Sequence, residues 1–219
     1  MESEKTLHVL TNVEIRVLGS LMEKSKTTPD YYPMTVNALT AACNQKTSRY
    51  PVVEYDEETV MSALRSLKGQ SLVSLAIGGS NRTTKYKHNF DIVYNVTDSE
   101  FAILCLLFLR GPQTPGELNT NSARLSEFGS LSTVHEVLNR LAEANPPFVK
   151  ELPKRAGQKE ARYTHLFGES NPDAEAEVHN EESPRNKSSN ELEERLALVE
   201  KELTDVKETL AKLVKELMG

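Results

Sequence analysis

The sequence predicts an α+β fold that is mainly α-helical and built from two copies of one small unit. The first observation is a short motif that occurs twice, called the echo motif below: KYKHNF at residues 85–90 and RYTHLF at residues 162–167. The copies also open alike, because TNVE at 11–14 and TDSE at 97–100 both have the Thr-x-x-Glu pattern of a helix capping box. A repeat of about 80 residues suits a small domain better than a solenoid unit.

The first copy is predicted to contain three helices. Apolar residues recur at helical spacing from Thr11 to about residue 25, and prolines at 29 and 33 prevent its continuation. A short helix then places Val36, Leu39 and Cys43 on one side. A third helix starts at Asp56, a suitable N-cap, and is expected to end where Gly69 adopts a left-handed conformation. Its predicted inward-facing residues are Val60, Met61, Leu64 and Leu67.

A hairpin follows these helices. Residues 72–77 and 83–90 read as strands, and the turn between them is the Gly-rich sequence GGSN at 78–81. On the return strand the alternation of side chains places Tyr86, His88 and Phe90 on one face.

The second copy repeats the plan. The helix from Thr97 to about Arg110 is nearly all apolar, so we expect it to be deeply buried, and Gly111 with Pro112 ends it. TPGE at 114–117 is another capping box, a third helix covers about 131–144, and strands are expected at 148–152 and up to residue 167. Three helices and a hairpin are the order of a winged helix-turn-helix, which predicts tandem domains at 7–92 and 96–168.

The remainder of the chain has a different composition. Residues 169–190 are rich in Asn, Ser, Pro and Glu, so we expect a flexible, disordered linker. Residues 191–218 show an apolar series at steps of 4, 3, 4, 3, 4, 3, 4, which predicts a coiled-coil helix that self-associates. One amphipathic helix that folds back on its own domain is the alternative. The predicted oligomerisation residues are Leu192, Leu196, Val199, Leu203, Val206, Leu210, Leu213 and Leu217.

Charge is unevenly distributed along the 219 residues. Residues 1–169 hold 19 basic and 19 acidic side chains, so the whole net charge of −6 belongs to residues 170–219. The overall acidity therefore does not exclude a nucleic-acid partner for the predicted domains. The charged N-terminus lacks a signal-peptide core, and no apolar run approaches the ~18 residues of a membrane span. We expect a cytoplasmic protein with no membrane association.

Sequence motifs give no support to an enzyme. The phosphate-binding, dinucleotide-binding, nucleophile-elbow and zinc-protease patterns are all absent from the sequence. The two cysteines, Cys43 and Cys105, lie on apolar helix faces and have no metal-type spacing. His88 and His165 share a repeat position, but a hydrogen-bonded structural role is favoured over metal binding. We predict no catalytic residue, no metal and no cofactor.

Double-stranded DNA is the partner that a winged helix favours, with the third helix in the major groove and the wing beside the backbone. Basic residues on the wings could neutralise phosphates with little sequence discrimination, although a solvated strand face would look the same. Acidic residues around Asp56, at the start of the third helix of the first copy, oppose this interpretation. The predicted nucleic-acid-binding residues are Arg65, Lys68, Arg82, Lys85, Lys87, Arg140, Lys154, Arg155, Lys159 and Arg162.

A protein partner is the alternative. Neutral tandem winged helices can act as adaptors, and the turn at Tyr31 and Tyr32 could supply an aromatic anchor, or could simply cover the first helix pair. The analogy with adaptor subunits of chromosome-segregation complexes rests on fold alone.

A family resemblance supports the fold. The segments at 17–33 (VLGSLMEKSKTTPDYYP), 37–46 and 162–167 resemble those of the YceH family of bacterial proteins, whose function is uncharacterised. The resemblance covers about residues 7–168 and implies a tandem winged-helix fold in a bacterial cytoplasm, with no binding residues to carry over. The sequence thus predicts a non-enzymatic DNA-binding homodimer or higher oligomer, a transcriptional regulator or nucleoid-associated factor, with the adaptor as second hypothesis.

Overall fold

The computed structural model describes residues 7–76, 83–154 and 158–168, which belong to one compact unit. The helices are α1 (Asn12–Thr27), α2 (Val36–Cys43), α3 (Glu57–Gly69), α4 (Phe90–Tyr94), α5 (Asp98–Arg110), α6 (Pro115–Asn121) and α7 (Leu131–Glu143). The strands are β1 (Val73–Ala76), β2 (Lys85–His88), β3 (Val149–Glu151) and β4 (Tyr163–His165). The α+β, mainly helical class predicted from the sequence is confirmed. Residues 7–92 are called the first copy below, and residues 96–168 the second copy.

All three predicted capping boxes are present. In the first, the Thr11 N–H donates to Glu14 Oε2 at 2.7 Å and the Glu14 N–H donates to Thr11 Oγ1 at 3.3 Å, so both orphan donors of the first turn of α1 are satisfied. The same reciprocal pair starts α5 at Thr97 and α6 at Thr114. Each of these three helix starts could therefore be predicted from a four-residue motif.

The echo residues occupy equivalent surroundings in the two copies. β1 and β2 pair antiparallel with Val73 opposite His88, and β3 and β4 pair antiparallel with Val149 opposite His165. A short backbone bridge adds one residue from before the second helix of each copy. The bridges are Met34 to Tyr86 in the first copy and Gln113 to Tyr163 in the second. Each echo tyrosine is thus the central residue of a three-stranded contact.

The end of α3 corrects the prediction for Gly69. That glycine lies inside the helix without a left-handed backbone, and Ser71 adopts the positive φ of 63° instead. The Ser71 N–H donates to the Lys68 carbonyl and the Leu72 N–H donates to the Leu67 carbonyl, both at 3.0 Å. This is a Schellman motif with its usual apolar contact, because both leucines are fully buried. The burial of these two leucines, and not the glycine, therefore determines where α3 ends.

Phe90 also departs from its prediction. It does not continue β2 with Tyr86 and His88 but begins the short helix α4, which was not predicted from the sequence. Asn89 turns the chain there: its N–H donates to the Leu72 carbonyl at 2.8 Å, and its side-chain amide donates to the Ser71 carbonyl at 3.1 Å. The ring of Phe90 becomes fully buried as a result.

The two copies meet in an aromatic cluster. Ring centroids of Phe90 and Phe167 are 5.5 Å apart, and Phe108 lies 5.6 Å from the first and 5.3 Å from the second. These edge-on and tilted arrangements are the favourable ones for aromatic pairs. Phe90 and Phe167 are the last residues of the two echo motifs, so equivalent positions of the repeat form the centre of the core.

Helices α1 and α5 also meet at equivalent positions. Gly19 and Cys105 each lie eight residues after the threonine of their capping box, and the Cys105 thiol points at the Gly19 carbonyl with an Sγ–O distance of 3.7 Å. A Cβ atom at position 19 would stand 3.0 Å from Phe108 Cβ and 3.1 Å from Leu109 Cδ2. A larger side chain would require these neighbours to move by a few tenths of an ångström. The predicted burial of both cysteines is confirmed, since neither is exposed.

The segment before α1 is attached to the second copy. The Leu10 N–H donates to the Phe167 carbonyl of the second copy at 2.7 Å, and the His8 Nδ1 lies 2.6 Å from the hydroxyl of Tyr94, at the end of α4. The two copies consequently share one hydrophobic core within the described residues. Their division into domains at 7–92 and 96–168 stays a prediction. The predicted linker (169–190) and coiled-coil helix (191–218) lie outside the described residues.

The two repeat histidines pack against aromatic residues of this core. His88 Nε2 is 3.0 Å from the Ser25 hydroxyl, which fits the predicted structural role, and burial lowers the pKa of His88 to about 4, against the opposing effect of Asp91. His165 packs edge-on against Phe108 at 4.9 Å, and burial lowers its pKa to about 4. Both rings are therefore neutral at pH 7.

A pair of glycine variants tests the α1–α5 contact. We expect Gly19→Ala to destabilise the protein by about 1–3 kcal/mol, because the added methyl group forces two packed helices apart. Gly69→Ala is the matched control: a Cβ there meets nothing within 4 Å, so the same substitution should stabilise by about 0.4–1 kcal/mol. Urea denaturation measures both. A Gly19→Ala protein as stable as the parent would mean that the helices are not held at this distance.

Candidate functional site

The predicted wing residues divide into exposed and engaged groups. Lys87 on β2 is exposed and its neighbour Lys85 is half-buried, while Lys154 and Lys159 are exposed beside β3 and β4. Arg82 and Arg155 lie outside the described residues. The antiparallel pairs β1–β2 and β3–β4 are called the ribbons below. Each ribbon, with the residues beside its strands, therefore presents at least one exposed lysine to solvent.

Two of the predicted arginines are already paired. Arg162 forms a two-pronged ion pair with Glu117, at 2.8 and 3.0 Å, and also donates to the Pro112 carbonyl at 2.9 Å, so it ties β4 to the start of α6. Arg140 on α7 lies 3.4 Å from Glu100 on α5. These contacts give both arginines a structural role, whatever else they bind.

The exposed side of α3 carries Arg65 and Lys68 toward its end. At its start, the Asp56 carboxylate accepts the Thr59 N–H at 2.8 Å, and Glu57 accepts from the Asn37 side chain at 2.9 Å. Asp56 serves as the N-cap that the sequence predicted, and hydrogen bonds with Thr59 lower its pKa. The acidic start of this helix is thus explained by capping.

A groove separates the start of α3 from the start of α1. Its volume is about 470 Å³, and Glu14, Asp56 and Glu58 line it together with the apolar Val13 and Ala63. Glu14 and Asp56 are engaged in helix caps, and Glu58 is an exposed carboxylate on the wall of this groove.

The two tyrosines of the turn after α1 have different roles. Tyr32 is half-buried and its hydroxyl accepts the His88 N–H at 2.7 Å, so it connects the turn to β2. Tyr31 is 79% exposed. The interpretation that both rings cover the helix pair holds for Tyr32, and Tyr31 is left available to solvent.

A buried ion pair under the loop between α2 and α3 was not predicted from the sequence. The Arg49 side chain is fully buried and donates to both carboxylate oxygens of Glu23, at 2.6 and 3.1 Å. It also donates to the Ala42 carbonyl at 3.1 Å, near the end of α2. Arg16 likewise donates hydrogen bonds to the carbonyls of Cys43 and Pro51, at 3.1 and 2.6 Å. Two buried arginines therefore fix the loop and satisfy the last carbonyls of α2.

This network has a clear electrostatic signature. Burial alone would raise the pKa of Glu23, but the hydrogen bonds and charge of Arg49, with Lys24 at 3.2 Å, outweigh burial and hold that pKa below its usual value. No local motif announces the pair, because Glu23 and Arg49 are 26 residues apart and sit in different elements.

Neither a metal-binding cluster nor a membrane-spanning helix is found in the described part of the chain. No group of three His, Cys, Asp or Glu residues is placed to hold a metal ion in residues 7–76, 83–154 and 158–168. In the same ranges, no helix is both long and apolar enough to cross a membrane.

Comparison with known proteins gives a consistent answer. Residues 10–158 match the family described as "Protein of unknown function, DUF480". This chain belongs to that family. The UPF0502 protein of Shewanella loihica is 41% identical over 212 residues, covering 94% of this chain and 98% of the relative. The UPF0502 proteins of Pelobacter propionicus and Opitutus terrae are 43% and 46% identical; the matches cover 94% and 75% of this chain, and 93% and 72% of those relatives.

These relatives confirm the expected membership of an uncharacterised bacterial family. The names of these relatives assign no activity, ligand or partner. The function of this chain must therefore be argued from its own residues.

The ion pair provides a stability test with a pH dependence. Glu23→Gln leaves the Arg49 cation buried without its partner, so we expect a loss of about 3–5 kcal/mol at pH 7. Because the folded pKa of Glu23 is depressed, its contribution is complete above the unfolded value of about 4.3 and is lost as the pH falls through the folded value. The difference between parent and variant should shrink in that acidic range.

Glu117→Gln is the matched control for this test. The same substitution breaks the ion pair with Arg162, which is more exposed than the Arg49 pair. The new amide can still complete the capping box at Thr114. We therefore expect the free energy of unfolding to fall by about 1 kcal/mol or less. Urea denaturation between pH 3 and pH 7 checks both variants. Equal losses in the two variants would contradict the special role given to Arg49.

Proposed function

We propose that this protein is a non-enzymatic DNA-binding protein, a transcriptional regulator or nucleoid-associated factor, that acts as a homo-oligomer. The proposal rests on one observation: a unit of three helices and an antiparallel ribbon occurs twice, with exposed lysines on both ribbons. In each copy the ribbon also bridges to the segment before the second helix, at Met34 and at Gln113. That arrangement is typical of a winged helix, whose wing and third helix contact duplex DNA.

The exposed cations set the character of the binding. Lys87, Lys154 and Lys159 on the ribbons, with Arg65 and Lys68 on α3, can reach phosphates without breaking a described contact. Phosphate contacts position a protein on DNA and carry no sequence information by themselves. We therefore expect binding that depends strongly on salt and weakly on sequence. Arg140 and Arg162 should contribute less, since each would have to leave a carboxylate.

An adaptor that binds another protein is the second candidate. The groove beside α3 favours it, because its carboxylates and the apolar side chains of Val13 and Ala63 suit a partner segment with a basic side chain. Exposed Tyr31 adds a residue type that is common at interface hot spots. The acidic groove disfavours DNA only locally, since two of its carboxylates accept capping hydrogen bonds at helix starts, where the helix dipole partly offsets their charge.

A salt titration on duplex DNA tests the leading proposal. We expect the full-length chain, and a chain ending at residue 168, to bind a random duplex at about 50 mM salt and to lose most of that affinity by about 200 mM. The variant Lys87→Ala/Lys154→Ala/Lys159→Ala removes three phosphate contacts. It should reduce the slope of log affinity against log salt by about 3.

The charge-preserving variant Lys87→Arg/Lys154→Arg/Lys159→Arg is the control and should retain the slope. Fluorescence anisotropy of a labelled duplex measures all of these proteins. Absence of binding by both chains at low salt would reject the DNA proposal and leave the adaptor.

The oligomeric part of the proposal depends on residues 191–218. Their leucine and valine heptads support self-association through a coiled coil. We expect deletion of residues 190–219 to reduce the mass of the protein to that of a monomer in multi-angle light scattering. A mass per chain that does not change on deletion would assign the heptads to another role.

A further inference from the structure

A polar recess lies where the two copies approach each other. It is formed by the end of α1, the loop after α2 and the segment after α6, and its volume is about 290 Å³. Its lining includes Lys24, Gln45, Lys46, Ser48 and Arg124. We propose that this recess binds the phosphate group of a small anionic metabolite, which would act as an effector distinct from DNA.

The net charge of the recess is positive. Glu23 is the only carboxylate among its described lining residues, and the buried Arg49 already neutralises it through two hydrogen bonds. Lys24, Lys46 and Arg124 remain as three cations around one small volume. An anionic ligand is the natural complement of such a recess, because three cations line it and its one described carboxylate is already paired.

The hydrogen-bonding groups also favour an anion. Lys24 Nζ uses two of its three donors, on Glu23 at 3.2 Å and on Gln45 Oε1 at 3.3 Å, so one donor remains. The same Gln45 oxygen accepts from Arg49 at 3.1 Å. Because that oxygen faces both cations, the Gln45 NH₂ group is directed away from them and can donate to a ligand. Ser48 accepts from Arg110 at 2.8 Å, which leaves its own hydroxyl proton available.

The recess is built before a ligand arrives. The fully buried Arg49 holds Glu23, Gln45 and the Ala42 carbonyl in place, and Ser48 has a left-handed backbone with φ of 60° that sets the course of the loop. Fixed donors around a small volume reduce the entropy cost of binding. Arg124 comes from the second copy and the other groups come from the first, so a bound anion would connect the two.

Size and depth favour a small ligand. A volume of about 290 Å³ is at the lower limit of ordinary ligand pockets, and it suits a phosphate with a short organic group. The Lys24 side chain is only 16% exposed, so a ligand must enter the recess to meet it. The backbone of a rigid duplex that crosses the surface could meet Lys46 and Arg124, but it would not reach the third cation.

Ligand binding to the full-length protein tests the proposal. Inorganic phosphate and glycerol 2-phosphate should raise the unfolding temperature in a saturable manner, and sodium chloride at equal ionic strength should not. Isothermal titration calorimetry gives the Kd. The variant Lys46→Ala/Arg124→Ala should raise that Kd by at least about tenfold, and Lys46→Arg/Arg124→Lys should keep it within about threefold.

A charge switch gives an independent variant. Gln45→Glu places a carboxylate beside Lys24 and Arg49, so the fold should remain intact while phosphate binding is lost. Equal stabilisation by chloride, or unchanged binding by both Lys46→Ala/Arg124→Ala and Gln45→Glu, would overturn the proposal. So would a result in which Lys46→Ala/Arg124→Ala weakens duplex binding and neither phosphate probe binds, since the recess would then belong to the DNA surface. Normal duplex binding with lost phosphate binding supports a separate effector site.

Discussion

The apolar surface of α5 is the constraint on which the whole unit depends. Residues 101–109 are all buried, so this helix has no face that could be left in water. The second copy covers part of it with α7 and β4, and α1 of the first copy covers much of the remainder. Independent copies would expose that surface, which explains why the aromatic cluster of Phe90, Phe108 and Phe167 is shared.

Polar contacts then hold the surface elements at fixed positions around this core. Arg49, Glu23 and Arg16 fix the long connection between α2 and α3, which could not otherwise satisfy its buried carbonyl groups. The Tyr50 N–H donates to the Leu109 carbonyl at 2.8 Å, so the same connection is also anchored to α5. The candidate anion recess is a consequence of this arrangement, because its floor is the structural ion pair and its rim is the surface of the loop.

Local features of the fold could be predicted from the sequence, and long-range ones could not. The capping boxes at Thr11, Thr97 and Thr114 depend on residues three apart, and the echo fixed the positions of β2 and β4 to within a few residues. The Arg49–Glu23 pair, the Leu10–Phe167 backbone bond and the shared core depend on contacts between distant segments. The prediction for Gly69 is wrong because it relied on glycine being a common helix terminator, whereas the burial of Leu67 and Leu72 determines where α3 ends.

The meeting of Gly19 with Cys105, and of Phe90 with Phe167, has a further meaning. When a position touches its own counterpart, the contact lies where a two-fold axis would pass between identical subunits. These two contacts thus have the self-complementary form of an isologous interface, although both partners belong to one chain. A contact of this kind within one chain does not depend on protein concentration and does not require its two sides to stay identical, so only the first copy needs to carry the long arginine-bound loop.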